Sequence, residues 1–256
     1  MLLLIDAGNT NVKFGVSQGD ELVARWRVST NRTSMPDEWW VIINTLAAAD
    51  KVELNSLDGA VLSSSVPAVT PWLSQMIRDR IGLDPIVVDA MTNMGIQVDI
   101  DNPLEVGPDR LVDAAAAFAR FGGPTIVLDF GTATTLNVVT RDGRFIGGAI
   151  APDIRAAHDA LVGRAARLTS VELVMPANAI GRNTVASMQS GIMFGYLGLV
   201  EGLIRRIDAE VGETTTVVAT GGFGRLFAEH CPRISIYLPD LTIDGLRLIW
   251  ERARPT

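Results

Sequence analysis

The sequence predicts an α/β protein made of two duplicated domains, at residues 1–120 and 121–256. Two observations support this fold class. An apolar strand, a polar turn with an aspartate and a glycine, and a second strand occur twice, about half a chain length apart. Between and after these two hairpins, predicted strands and helices alternate along the chain, which favours an α/β layer.

The first hairpin follows almost directly after the N-terminus. Residues 2–5 are apolar and predict a buried strand, and residues 12–16 predict a second strand. The turn at residues 6–11 reads DAGNTN. An aspartate at a strand end, a glycine and small polar side chains suit a phosphate oxygen or a hydrated metal ion, and Lys13 adds a positive charge. Taken alone, this stretch would equally fit an ordinary β-hairpin.

The second hairpin repeats the first. Residues 124–139 read PTIVLDFGTATTLNVV, with Asp129 at the position of Asp6 and Gly131 at that of Gly8. Both copies continue through a turn into a third strand. Chance hairpins do not usually repeat such a set at half the chain length. We therefore interpret the chain as a duplication in which each domain offers an aspartate-tipped hairpin to a shared cleft.

The predicted elements follow in order. Ser34 as N-cap, Pro36 in the first turn and the acidic residues after it predict the first helix. The elements of the first half are a helix at 34–49, a strand at 57–66, a helix at 70–80, a strand at 85–89, a loop at 91–107 and a helix at 111–120. Those after the second hairpin are a strand at 144–150, a helix at 153–166, a strand at 171–174, a helix at 185–211, a strand at 215–220, and helices at 225–230 and 246–252.

Composition excludes several classes of protein. Of the 256 residues, 48% are hydrophobic and 20% charged, which predicts a globular chain with a sizeable core. The net charge of −7 and the lack of a basic cluster longer than Arg205-Arg206 argue against nucleic acid as a partner. A single cysteine, Cys231, excludes an intrachain disulfide. The apolar run at 191–204 is too short for a membrane span, and no signal-peptide pattern is visible, so we expect a cytoplasmic protein without a membrane partner.

A polar loop leads to the sequence Pro108-Asp109-Arg110 at the start of a helix. Asp109 could merely complement the helix dipole. It could also accept a proton from a hydroxyl nucleophile, while Arg110 holds an anionic group of a substrate. The position at the end of a long loop favours the functional interpretation.

Glycines mark two further stretches. Gly191, Gly195, Gly198 and Gly202 form a stripe on the long helix, which indicates that another backbone packs close to it, either within the domain or across a dimer interface. Both interpretations remain open. The Gly221-Gly222 pair between a strand and a helix could cradle a nucleobase and ribose, or could be only a turn.

The two hairpins and the later TGG loop resemble the actin, sugar-kinase and heat-shock-chaperone ATPase superfamily. Its members have two duplicated ribonuclease-H-like domains with ATP in the cleft between them. Six motifs narrow the resemblance to type III pantothenate kinase: DAGNTNVKFG at 6–15, NPLEVGPDRLVDAAAA at 102–117, DFGTATT at 129–135, GGAIAP at 147–152, GRNTVASMQSG at 181–191 and ATGGFG at 219–224. The implied reaction is the ATP-dependent phosphorylation of pantothenate to 4′-phosphopantothenate, the first step of coenzyme A biosynthesis.

The resemblance also implies a set of site residues and cofactors. Asp109 would be the general base, and Asp129 would bind a monovalent cation, potassium or ammonium. ATP would be bound by Asp6, Ala7, Gly8, Asn9, Thr10, Asn11, Val12, Lys13, Thr132, Gly221 and Gly222, with Asp6 acting through hydrated Mg²⁺. Pantothenate would be bound by Gly107, Pro108, Asp109, Arg110, Thr184 and the residue at position 100, which is Ile100 here. Family members are homodimers, which favours the interface interpretation of the glycine stripe.

Four positions depart from the family pattern. Alanine is usual at Pro108, tyrosine at Ile100, asparagine at Asp113 and glycine at Asp153. Proline removes a backbone N–H from the substrate motif. We expect these departures to change affinity and substrate range more than the type of reaction. The alternatives are a non-enzymatic ATP-binding regulator, or another small-molecule kinase of the same fold.

Overall fold

The computed structural model describes residues 1–253, so positions 254–256 of the predicted second domain lie outside the described residues. Two compact units are present, one formed by residues 1–120, 143–145 and the segment from Asp240 onward, the other by residues 121–142 and 146–239. The strands are β1 (Leu2–Ala7), β2 (Asn11–Gln18), β3 (Glu21–Ser29), β4 (Gly59–Ser64), β5 (Ile86–Val87), β6 (Gln97–Val98), β7 (Thr125–Phe130), β8 (Ala133–Val139), β9 (Arg144–Pro152), β10 (Thr216–Gly221) and β11 (Ile236–Tyr237). The helices are α1 (Pro36–Ala49), α2 (Thr70–Met76), α3 (Pro108–Phe121), α4 (Ile154–Arg164), α5 (Thr184–Val211), α6 (Gly224–His230) and α7 (Leu241–Ala253).

The sheet of the first unit has the strand order β3-β2-β1-β4-β5. Strands β1 and β2 are antiparallel, with Asp6 opposite Lys13, whereas β1 and β4 are parallel. The short turn between β1 and β2 permits the antiparallel pair, and the parallel pair needs the longer crossover through α1.

The second unit repeats this arrangement. Five of its strands lie in the order β9-β8-β7-β10-β11, which matches the order β3-β2-β1-β4-β5 of the first sheet strand by strand. Again the first pair, β7 and β8, is antiparallel and the pair β7 and β10 is parallel. The predicted duplication and the predicted fold class are therefore confirmed. Strand β6 extends the β9 edge by pairing with Arg144 and Phe145, which belong to the first unit.

The first sheet is covered on both faces. Helices α1 and α2 pack with the residues of one core cluster, in which Trp39, Phe14 and Leu73 are fully buried. Helix α7 packs on the other face, where the absence of a side chain at Gly59 makes room for the Trp250 ring, and Gly245 of α7 lies close to Val112 of α3. Helix α7 belongs to this first unit, although the predicted boundary at residue 120 places it in the second domain.

The core of the second unit centres on an aromatic group. Phe130 stacks on Phe227, with ring centroids 5.0 Å apart, and Tyr196 of α5 packs against Phe227 at 5.3 Å. The Tyr196 hydroxyl contacts Thr134 Oγ1 and the carbonyl oxygen of Pro152, the latter at 3.1 Å. These contacts fix α5 against the start of α4 and against the second hairpin.

Three local predictions are wrong. The last helix begins at Leu241 and not at residue 246. The N-cap of α1 is Met35, not Ser34, because Glu38 accepts a hydrogen bond from the Met35 backbone N–H at 2.7 Å. Residues 171–174 form no strand, because their polar groups bond to helices instead: the Val171 N–H donates to His158 Nε2 at 3.2 Å. Within residues 1–253 no helix is long and apolar enough to cross a bilayer.

Candidate active site

The tip of the first hairpin holds a buried ion pair. Lys13 Nζ lies 3.1 Å from Asp6 Oδ2, and the Asp6 side chain is only 7% exposed. The other carboxylate oxygen, Oδ1, is buried and accepts no hydrogen bond from the described residues. A buried carboxylate oxygen without a donor is costly unless a ligand satisfies it. Asp6 therefore fits a hydrated cation, as the sequence predicts.

The turn between β1 and β2 is closed by the Gly8 N–H, which donates to the Asn11 carbonyl oxygen at 3.0 Å. Buried Ala7 and Val12 anchor the two strand ends, and the Asn9 and Thr10 side chains are exposed. The eight predicted ATP-binding residues of this segment thus lie together at the tip of the hairpin, where Asn9 and Thr10 face outward and Asp6 is buried.

Asp109 lies in the first turn of α3, in the same compact unit as this loop. Its Oδ1 accepts a hydrogen bond from the Arg110 backbone N–H at 3.0 Å. Burial raises the pKa of Asp109, and the nearby negative charge of Asp6 raises it further. A carboxylate with a raised pKa is a stronger base than an ordinary aspartate.

The other predicted residues of the substrate motif surround the start of α3. Pro108 is its first residue, where the missing N–H has no structural cost. The Arg110 N–H donates to the Gly107 carbonyl oxygen at 3.1 Å, and the guanidinium lies 5.7 Å from the centroid of the Phe145 ring. Burial lowers the pKa of Arg110. Ile100, half-buried after β6, offers no polar side-chain atom.

In the second unit, the paired glycines lie against the second hairpin. The Gly222 N–H donates to the Phe130 carbonyl oxygen at 3.0 Å. Gly221 has φ of +84°, and a Cβ there would lie 2.6 Å from Asp129 Oδ1. The structure thus brings Asp129 and the glycine loop together, with exposed Thr132 in the adjacent turn.

Thr184 belongs to a different surface of the second unit. It is exposed at the start of α5, whose N-cap Asn183 accepts a hydrogen bond from Ala186 N at 2.8 Å. Thr184 lines an apolar groove of about 510 Å³ along α4 and α5, together with Leu161 and Gly191.

The glycine stripe lies along the exposed side of α5. A Cβ at Gly191, Gly195, Gly198 or Gly202 would meet no atom of the described chain within 4 Å. No backbone of residues 1–253 therefore packs against the stripe, and the interpretation as a close contact within the domain is wrong.

Sequence reasoning missed two residues that contact the first hairpin. Thr30 Oγ1 donates to the Gly8 carbonyl oxygen at 2.6 Å, and Arg32 Nη2 donates to Asn9 Oδ1 at 2.9 Å. The predicted third strand could have indicated these contacts. Because β3 pairs with β2, the residues that follow β3 lie next to the turn at residues 6–11.

The described residues contain no group of three His, Cys, Asp or Glu side chains that could hold a metal ion. Mg²⁺ that accompanies a nucleotide commonly takes most of its ligands from phosphate and water. The one Asp6 carboxylate oxygen that accepts no hydrogen bond from the described residues is compatible with such an ion.

Comparison with known proteins gives consistent matches. The sequence profile of the family described as type III pantothenate kinase matches residues 2–206. The type III pantothenate kinase of Roseiflexus castenholzii is 48% identical over 99% of this chain and 100% of its own, and that of Roseiflexus sp. is 47% identical with the same coverage. The activator of 2-hydroxyisocaproyl-CoA dehydratase from Clostridium difficile, solved with bound ADPNP, has a similar fold (TM-score 0.57, 13% identity, 98% of this chain and 94% of that one).

Proposed function

This chain belongs to the type III pantothenate kinase family, and we propose that Asp109 is the general base of its reaction, the ATP-dependent phosphorylation of pantothenate that opens coenzyme A synthesis. The observation that carries the proposal is the Asp109 carboxylate, whose raised pKa arises from burial and from Asp6 in the same unit.

In the proposed reaction the carboxylate of Asp109 takes the proton of the primary hydroxyl of pantothenate. The hydroxyl oxygen forms a bond to the γ-phosphorus of ATP, and the bond from that phosphorus to the bridging oxygen of ADP breaks. Such a transfer depends on positioning and charge neutralisation more than on covalent catalysis. A base whose pKa is raised towards the working pH suits this role.

The loop from Asp6 to Lys13 would hold the ATP phosphates. This proposal is supported by the exposed polar side chains of Asn9 and Thr10 and by the buried Asp6 oxygen that accepts no hydrogen bond from the described residues. A kinase of this family uses a divalent metal, which neutralises phosphate charge when bound. Asp6 would face its hydration shell, and Lys13 would hold the Asp6 carboxylate in position.

Asp129 would ligate a monovalent cation, potassium or ammonium, in the second unit. Carboxylate and carbonyl oxygens are the donors that hard cations prefer. Asp129 lies beside the carbonyl oxygen of Phe130, and Gly221 approaches both atoms closely. Thr132 and the two glycines at 221–222 would contact ATP, the glycines on its adenosine.

The pantothenate site would use the substrate motif at the start of α3. Arg110 supplies a guanidinium that can pair with the substrate carboxylate, and its planar fork suits such a pairing. Gly107 and Pro108 shape the turn before it. Thr184 would add a hydroxyl, and Ile100 would supply apolar contact where a tyrosine is usual.

The exposed glycine stripe of α5 would form a homodimer interface. Glycines without a neighbour within 4 Å permit the backbone of a second helix to approach closely. The apolar groove that contains Thr184 runs along the same helix. We expect this dimer to work in the cytoplasm.

The experiment is ADP release from ATP and magnesium, with and without pantothenate, in potassium and in sodium buffer. We expect turnover that requires both pantothenate and potassium. Asp109→Asn should lower this turnover by about 10²–10⁴, while Asp79→Asn, the same change at an exposed site in the segment that follows α2, should leave it unchanged. ATP binding without pantothenate-dependent turnover would support the regulator instead, and turnover with another alcohol would support a different kinase.

A further inference from the structure

The chain leaving β3 is hydrogen-bonded to the loop at residues 6–13, called the phosphate loop below. The Thr30 backbone N–H donates to the Thr10 carbonyl oxygen at 3.0 Å, and Thr30 Oγ1 donates to the Gly8 carbonyl oxygen at 2.6 Å. Both acceptors lie inside the segment proposed to hold the ATP phosphates. The residues directly after Thr30 therefore start beside this loop.

Arg32 follows within a tight turn. Asn31 Oδ1 accepts hydrogen bonds from the Thr33 N–H at 3.1 Å and from Thr33 Oγ1 at 2.8 Å, and the Ser34 N–H donates to the Asn31 carbonyl oxygen at 3.3 Å. These bonds fix the backbone on both sides of Arg32, so less conformational freedom is lost when its side chain binds a ligand.

The guanidinium of Arg32 lies at the loop itself. Arg32 Nη2 donates to Asn9 Oδ1 at 2.9 Å, and the side chain is otherwise exposed. Within residues 1–253 it has no carboxylate within ion-pair distance, whereas Arg25 of the preceding strand β3 pairs with Asp240 at 2.8 Å. Arg32 therefore keeps an uncompensated positive charge and free N–H donors next to Asn9.

A positive charge beside the phosphate loop would offset the negative charge of bound phosphates. Its one lysine, Lys13, already compensates Asp6, and Asp109 adds a further carboxylate nearby. A bound triphosphate would bring several more negative charges to this unit. Arginine is well suited to them, because its planar donors can bond two phosphate oxygens at once.

We propose that Arg32 is a further phosphate-binding residue, which contacts a phosphate of ATP directly while its Nη2 stays bonded to Asn9. This inference rests on the proposed function of the loop at residues 6–13. It concerns the nucleotide only and makes no claim about the acceptor alcohol.

The test is a double-mutant cycle of Arg32→Met and Asn9→Ala, with the dissociation constants of ATP and AMP measured by calorimetry. We expect Arg32→Met to weaken ATP binding about tenfold, the scale of one charge-assisted hydrogen bond, and to leave AMP binding unchanged. Arg32→Lys should recover part of the loss, because it keeps the charge. Arg25→Met, which removes an exposed arginine of the preceding strand β3, should bind ATP as the wild type does.

The cycle separates direct contact from an indirect role. If Arg32 touches phosphate, Arg32→Met must still weaken ATP binding when Asn9 is already alanine. If its effect vanishes on that background, Arg32 only positions Asn9 and the proposal is overturned; unchanged ATP binding in Arg32→Met overturns it equally. Failure of the proposed function would appear differently, as wild-type protein that binds ATP but releases no ADP when pantothenate is added.

Discussion

Replacing Gly221 by alanine should destabilise the glycine loop of the second unit through the backbone. The residue has φ of +84°, a conformation that costs an alanine roughly 1–2 kcal/mol. The new Cβ would also lie 2.5 Å from the Phe130 carbonyl oxygen and 2.6 Å from Asp129 Oδ1. Overpacking of this kind costs about 1–3 kcal/mol. We therefore expect the free energy of unfolding to fall by roughly 2–5 kcal/mol.

Thermal and chemical unfolding of wild type, Gly221→Ala and Gly222→Ala would measure this. For a chain of this size the expected loss lowers Tm by about 5–15 °C. The neighbouring Gly222 is a matched control, because a Cβ there would come no closer than 3.9 Å to any atom. Gly222→Ala should stay within about 1 kcal/mol of wild type. If the loop faces adenosine, it should nevertheless bind ATP about tenfold more weakly, since a methyl group would separate the base from the backbone.

A Gly221→Ala protein that melts within a degree of wild type would refute the steric argument. It would mean that the loop between β10 and α6 can move away from Phe130 at no cost. A Gly222→Ala protein with unchanged ATP affinity would leave the steric argument intact but contradict the adenosine contact.

Three further outcomes follow from the described contacts. Asp109→Asn should lower kcat by about 10²–10⁴. Because the pKa of Asp109 is raised in the folded state, the variant should also be more stable than the wild type at neutral pH. This gain in stability should disappear in denaturation curves measured below pH ~4, where the carboxyl group of the unfolded wild type is also protonated. Asp153→Ala should lose about 1 kcal/mol of unfolding free energy, because Oδ2 caps α4, whereas Asp153→Gly should lose only a few tenths, and equal losses in urea titrations would contradict the capping role. Gly59→Ala should lose about 1–3 kcal/mol, because its Cβ would lie 1.9 Å from the Trp250 ring, while Gly163→Ala, in open space on α4, should lose nothing by the same titration.

The repeated hairpin could be predicted from sequence because its signals are local. Turn residues, strand patterns and an aspartate at each strand end all lie within about fifteen positions of one another, and the repetition itself removes the ambiguity of a single copy. The long helix α5 could also be predicted from sequence, because Asn183 and Gly212 mark its two ends.

The features that could not be predicted from sequence depend on contacts between distant positions in the chain. The apolar stripe of α7 predicts that this helix packs, but not on which sheet, and the partner surface at Gly59 carries no periodic signal. Arg32 resembles any other arginine in a polar turn until strand pairing brings it to Asn9. The segment 171–174 has strand-forming residues, but side chains of α4 and α5 take its backbone hydrogen bonds.

The packing of α7 on β1 and β4 bears on how the protein is made. Translation delivers the strands of the first sheet early and the helix that covers part of them last. Until the ribosome has released α7, the indole of Trp250 is absent from its place over Gly59, and that side of the nascent sheet stays open to solvent and chaperones. The second unit is built from residues 121–142 and 146–239, all of which are translated before α7, so its folding does not have to wait for that helix.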